Sequence, residues 1–386
     1  MRRLLLIAAL CAAPWARADF AIPGFELVQT VPLETALGSA DVRDAATVWS
    51  ELFDGARSEI VIGQFYAAGK AGTPFETVIE RLEAAGRRGV KIRFLLDVKG
   101  IALSEAATVE RLRAIPNLQL RHIDFAKRSA NGIVHAKYLV VDGKSAFIGS
   151  QNFDWRAFSH IFETGLLVTE PRTVRQVLAV FEQDWHGKPV RRDVPAGHLV
   201  ASPAALNPAG VPDSERALPA LLAAATREIR VQLLDYVPLT YAKPRAYYPV
   251  IDNALRAAAA RGVSVKLMVS HWNTEKPGID YLKSLAMLPN VQVRIVTLPQ
   301  ASTGFIPFAR VIHSKTMSID GQVAWVGTSN WAGGYFDASR NLEVILRSEK
   351  MAQRLAEQHE HTWTSVYARP LEINKDYPTP NKGSEK

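Results

Sequence analysis

Two stretches of the chain carry residue types that can do chemistry together. The first places His135 and Lys137 ahead of Asp142 and then Gly149-Ser150-Gln151-Asn152. The second places His313 and Lys315 ahead of Asp320 and then Gly327-Thr328-Ser329-Asn330. Both read His-x-Lys-x4-Asp-x6-Gly-(Ser/Thr)-x-Asn. Composition alone gives one His-x-Lys-x4-Asp match a chance of roughly 3%, so two copies with the same sequel lie far beyond coincidence. A lone histidine on a half-buried strand is usually a packed core residue; the pairing is what points to chemistry. His and Lys two apart on a strand project from one face, as do Ser150 with Asn152 and Thr328 with Asn330. A cleft joining the two faces holds two imidazoles, two ammonium groups and two amides, a set suited to a phosphodiester. Lys137, Lys315, Asn152 and Asn330 can offset and hydrogen-bond the phosphoryl oxygens as charge builds. His135 and His313 can act as nucleophile and general acid near neutral pH. The chemistry calls for no metal and no other cofactor. Asp142 and Asp320 stand at an odd offset from their histidines, so they are expected to point away from the cleft and brace the strand.

The elements around these residues repeat. Arg88-Gly89-Val90-Lys91-Ile92-Arg93 recurs as Arg261-Gly262-Val263-Ser264-Val265-Lys266, and Pro116-Asn117-Leu118-Gln119 as Pro289-Asn290-Val291-Gln292, each with an offset of 173. One offset for two segments indicates a duplicated unit. In each half a β-branched run (59–65; 228–236) precedes a helical stretch (75–87; 248–261), a strand (90–96; 263–269), a second helix and another strand. That alternation predicts an α/β fold with largely parallel sheets. A first lobe over 19–193, a Pro/Ala/Gly-rich linker over 194–212, a second lobe over 213–369 and a flexible tail over 370–386 are expected. A long helix from about Ser348 to Trp363 should precede the tail.

Composition fits this frame. With 48% apolar and 22% charged residues, the chain is an ordinary globular one. The longest apolar run, Leu4 to Pro14, is too short to span a bilayer, which needs about 20 residues. Arg2 and Arg3 before it and Ala16-Arg17-Ala18 after it read as a signal peptide over 1–18, so the protein is expected to be exported, to the periplasm or beyond. The only cysteine, Cys11, lies in that segment, which leaves no disulfide, thiol nucleophile or cysteine metal site in the mature chain. The formal charge of +8, from 46 Lys+Arg against 38 Asp+Glu, fits an anionic partner or a solvated basic surface. His359 and His361 stand two apart on the expected helix and cannot share one metal.

The paired motif resembles the phospholipase D superfamily over essentially the whole mature chain. The runs Gly149 to Arg156, Gly327 to Phe336 and Ile306 to Val311 are most similar to the branch containing the mammalian endolysosomal phospholipase D-like proteins. The resemblance implies a duplicated α/β/α sandwich, two pseudo-twofold lobes sharing one active site, and hydrolysis through a covalent phosphohistidine. It also implies that His135 attacks phosphorus and His313 protonates the leaving oxygen, an order that can be reversed. Glu163 and Glu343 stand where the family places an acid near each histidine and would fix its tautomer. Thr328 replaces Ser150 in the second copy and keeps the hydroxyl donor. The implied substrates are phospholipid or the 5′ end of single-stranded DNA or RNA; a monomer with room for peripheral membrane contact is expected. Phosphatidyl transfer to an alcohol and a catalytically inactive binding protein remain the alternatives. Tyr66, Phe153, Trp155, Trp331, Tyr335 and Phe336 are candidates to stack bases or to fill the core.

Overall fold

A computed structural model describes residues 19–190, 194–241 and 243–383; the expected signal peptide lies outside the described residues. Two sheets have the same strand order. The first runs Phe25–Thr30, Glu163–Val168, Ser145–Gly149, Tyr138–Val141, Glu59–Gly63, Lys91–Asp97, Leu118–Ile123, with Ala21–Ile22 beyond Phe25–Thr30. The second runs Leu199–Ser202, Asn341–Arg347, Val323–Gly327, Thr316–Ile319, Glu228–Leu233, Ser264–Ser270, Val291–Val296, and adds Ala368–Pro370 at its edge.

Within this shared order only the last three strands of each half pair in parallel; the others pair antiparallel. The sheets are therefore mixed rather than largely parallel. The reason is local. Asp142-Gly143 and Asp320-Gly321 both take positive φ (53° and 63°; 55° and 65°), a conformation that closes tight hairpins. The strand after each Lys thus returns beside its neighbour (Tyr138 to Ile148, Thr316 to Val326). Parallel strands need longer crossovers, which the helices Pro74–Arg87 and Ala106–Arg113 supply in the first half and Pro249–Ala260 and Gly278–Ala286 in the second.

The two sheets share one core. Ile148 and Leu166 of the first and Val326 and Val344 of the second cluster with Val177 and Phe181 of helix Pro171–His186 and Leu355 of helix Glu349–Thr364. Each such side chain contributes about 1.5–3 kcal/mol by leaving water, so separating the lobes would be costly. The two helices are well delimited. Glu170 accepts from the Arg172 and Thr173 amides at one start, Gly187 ends that helix at φ 66°, and Ser348 caps the other; Ser348 and Gly187 are residue types such positions favour. A separate core lies on the outer side of each sheet, around Trp49 and Phe75 in one lobe and around Trp325 and Leu255 in the other.

Two segments differ from the sequence reading. Inside the linker stretch, Leu199–Ser202 forms an edge strand on Asn341–Arg347. The tail is not free over 371–383. Tyr377 packs on the second lobe's core, Thr274 Oγ1 donates to Pro378 O (3.0 Å), and Phe308 N donates to Lys382 O (2.8 Å). Its polar, proline-containing composition hid a few anchoring residues.

Candidate active site

The motif residues meet through a reciprocal exchange between the lobes. His135 N and Ala136 N donate to Arg340 O (3.0 and 2.9 Å), while His313 N and Ser314 N donate to Phe162 O (2.8 and 3.1 Å). Isolated bridges join Val134 to Arg340 and Phe162 to Ile312. Each histidine segment is thus pinned by the other lobe's strand, and the next residue of that strand reaches the imidazole. Glu163 accepts from His313 Nδ1 at 2.8 and 3.0 Å. In the mirror position Asn341 Oδ1 lies 3.0 Å from His135 Nδ1.

The second of these contacts corrects the sequence reading, which gave that place to Glu343. Glu163 follows Gly149 by 14 residues, and the residue 14 past Gly327 is Asn341; Glu343 pairs directly with Gly327 in the sheet. The buried Glu343 carboxyl instead accepts from the Ser214 and Ser329 hydroxyls, and burial pushes it up to about 7 against the pull of those bonds. The spacing was a usable signal that residue type obscured.

Asn341 is fixed in orientation. Its Nδ2 donates to Tyr335 O (2.9 Å) and its Oδ1 accepts from Thr328 Oγ1 (2.9 Å). The proton therefore sits on His135 Nδ1, and Nε2 is the remaining ring nitrogen. Glu163 sets the same tautomer on His313. The hydroxyls of Ser150 and Thr328 serve this arrangement rather than a substrate. Ser150 Oγ accepts from Thr164 N (3.0 Å) and Thr328 Oγ1 from Leu342 N (3.0 Å), and both are fully buried.

The lysines curl back. Lys315 Nζ donates to His313 O (2.6 Å) and Lys137 Nζ to His135 O, and neither side chain is exposed. Four basic groups thus crowd one buried space. Burial, then Lys137 and Lys315, holds His135 well below the usual histidine range. Burial, then both lysines and His135, does the same to His313. Burial drives Lys315 down to about 7 and, with Lys315 beside it, Lys137 well down. Burial also raises Glu163 to about 8, against the pull of Lys315. An oxyanion placed here would relieve the repulsion, which is the electrostatic signature of a phosphoryl site. Asn152 and Asn330 line the same cleft, and Asn330 Nδ2 donates to Tyr335 Oη (3.1 Å).

Asp142 and Asp320 lie outside the cleft. Asp142 accepts from the amides of Arg57, Ser58 and Glu59 and from Ser58 Oγ at 2.7–2.9 Å. Asp320 accepts from the amides of Thr226, Arg227 and Glu228 at 2.8–2.9 Å. Each ties its hairpin turn to the start of the neighbouring strand. Burial alone would raise Asp142, yet these bonds outweigh it and bring it to about 2.

The cleft holds about 730 Å³. Of the aromatic candidates, Tyr66 and Tyr335 line it, whereas Phe153, Trp155, Trp331 and Phe336 are buried in the cores. Phe65 and Trp272, which no motif marks, also line it, as does Phe308 of the Ile306–Val311 run. Arg156, held by Asp154 at 2.9–3.1 Å, and Asp235 complete the polar wall.

This fold and paired site are those of a phospholipase D-type phosphodiesterase. A family model described as "Cardiolipin synthase, PLD-like domain" matches residues 50–185 and 222–363, and the chain belongs to that family within the phospholipase D superfamily. It is 30% identical to Phospholipase D Z of Dictyostelium discoideum over 90% of either chain. It is 29% identical to the mouse 5′-3′ exonuclease PLD4 over 90% of this chain and 79% of that one. Phosphatidylserine synthase of Haemophilus influenzae shares the fold with a TM-score of 0.61 at 10% identity, over 84% of this chain and 85% of that one. No helix among the described residues is long and apolar enough to cross a membrane.

Proposed function

We propose that this protein is an exported, monomeric phosphodiesterase that cleaves single-stranded nucleic acid from its 5′ end through a covalent phosphohistidine. The observation that carries the substrate class is the set of half-buried rings around the two histidines: Phe65 and Tyr66 from one lobe, Trp272, Phe308 and Tyr335 from the other. Rings on both walls beside Arg156 suit bases that stack while a backbone phosphate sits below. The mouse exonuclease among the relatives supports the same choice. Both motifs reside in one chain, so a monomer suffices.

The reaction divides into two displacements. One histidine attacks phosphorus as the other protonates the leaving oxygen. That second histidine then takes a proton from water, whose oxygen displaces the first. Lys137, Lys315, Asn152 and Asn330 hold the phosphoryl oxygens through both steps.

A phospholipid is the second reading. Ile101 and Phe305, each about half exposed (51% and 49%), neighbour the cleft residues Ala102 and Pro307 and would suit a lipid surface. Turnover of 5′-hydroxyl single-stranded DNA and of phosphatidylcholine vesicles, side by side with EDTA present and His313→Ala as the contamination control, tests the proposal. Stepwise shortening from the 5′ end is expected. Choline release without DNA cleavage would overturn it.

A further inference from the structure

The two histidines are not equivalent, and the difference lies in what holds each ring. We infer that His313 is the nucleophile, positioned by Glu163 of the other lobe, and that His135 is the acid and base, positioned by Asn341; this reverses the order implied by resemblance and rests on the covalent reading above.

Charge separates the two rings. When Nε2 of a histidine bonds phosphorus while Nδ1 keeps its proton, the ring becomes cationic. A carboxylate on Nδ1 offsets that charge and can draw the proton toward itself; an amide oxygen can only accept a hydrogen bond. Glu163 contacts His313 Nδ1 with both oxygens, at 2.8 and 3.0 Å; burial holds it up at about 8 in the free protein, and the cation that forms on the ring draws it into its carboxylate form. His135 has only the Asn341 amide at 3.0 Å, and that amide is already shared with the Thr328 hydroxyl. A ring so held is a poor home for a lasting positive charge. It is correspondingly a ready donor of a proton and, once neutral, a correctly oriented base. Tyr335 packs edge-on against it at 4.7 Å, which further fixes the ring.

The steps balance. Burial and the lysines keep His135 neutral in the free protein, but the bound phosphodiester anion favours the charged ring, so His135 enters the reaction as imidazolium. The His313 Nε2 lone pair forms the N–P bond, the P–O bond to the leaving group breaks, and the His135 Nε2 proton goes to that oxygen. Neutral His135 then removes a proton from water as the water oxygen bonds phosphorus and the N–P bond breaks. The phosphomonoester leaves, with His313 neutral and His135 protonated again.

The test uses bis(p-nitrophenyl) phosphate, whose leaving group needs no acid. In the His135→Ala protein a burst of one p-nitrophenolate per enzyme is expected, with steady turnover slowed about 10²–10⁴-fold after it. The trapped phosphohistidine, quenched in alkali, should map to His313 by peptide mass spectrometry. The His313→Ala protein should show no burst. Label on His135 of the wild-type enzyme, or a burst surviving in His313→Ala, would overturn the assignment. No phosphorus on any histidine of the wild-type enzyme would instead overturn the covalent reading, and the assignment with it. Two further variants separate positioning from folding. Glu163→Gln should slow the burst itself by about 10–100-fold, in the range of lost orienting partners, while Asn341→Ala should spare the burst and slow the hydrolysis of the phosphoenzyme. Asn341→Asp should return turnover with its acid limb moved to higher pH, because His135 then gains a carboxylate; an unmoved profile would remove Asn341 from that role.

Discussion

At the scale of single residues the site is a set of bases held too close for comfort until an anion arrives. That arrangement makes anion binding a proton-linked event. Burial drives Lys315 down to about 7, and a bound oxyanion would raise it toward its ordinary value. Binding above pH 7 therefore takes up a proton, and affinity should fall as pH rises through that window; below it Lys315 is already charged and adds no dependence. Sulfate, which does not titrate there, should bind more weakly at pH 9 than at pH 7 by calorimetry, with proton uptake seen across two buffers. Equal affinity at both pH values would contradict the crowding described. The sequence made both lysines, both histidines and both asparagines legible because their spacing repeats. It also placed Asp142 and Asp320 off the cleft from strand parity alone. It misled at Glu343, where an acid two residues past the true position drew attention from Asn341.

At the scale of elements, short connections decide where the chemistry sits. Asp142 and Asp320 close hairpins rather than touch substrate. Asp142→Ala should cost about 1–2 kcal/mol of stability, the usual range for removing a side chain that caps backbone amides, read by denaturant unfolding. Activity per folded molecule should stay close to wild type, and a loss of turnover in fully folded Asp142→Ala would give that carboxylate a place in the chemistry. Gly132 is a second such point. A Cβ there would stand 2.2 Å from Ala338 O in the other lobe, and this backbone cannot retreat without moving Arg340 and the His135 segment it pins. Gly132→Ala should lower kcat by at least about 10-fold, in keeping with the sensitivity of catalysis to shifts near 1 Å, and cost about 1–3 kcal/mol as overpacking does. Unchanged turnover would show the lobe contact to be looser than its geometry. Neither the Gly132 contact nor the rings of Phe65 and Trp272 could be read from sequence, since each depends on which distant loops meet. The parallel strands and crossover helices were legible because their periodicity is local.

At the scale of the whole molecule, the duplication explains why one chain carries two half-motifs and one site. The lobes share a core and trade the residues that hold their histidines, so neither half is complete. Residues 19–193 and 194–386 expressed separately should each be inactive, and co-expression should recover activity only if the halves reassociate; activity from either half alone would refute the shared site. The tail adds a constraint invisible in its composition. Lys382 pairs with Glu275 (2.5 Å) and its carbonyl accepts from Phe308 N, so it steadies a ring at the cleft mouth. Deleting 378–386 should raise KM several-fold with little change in kcat, and an unchanged KM would remove the tail from the cleft wall. The sharpest test of a single site shared by two unlike histidines is a crystal structure with orthovanadate bound. One vanadate per chain is expected, with vanadium bonded to His313 Nε2, His135 Nε2 on the opposite apical oxygen, and Lys137, Lys315, Asn152 and Asn330 on the equatorial oxygens. Vanadate seated within a single lobe, or bonded to His135, would contradict it.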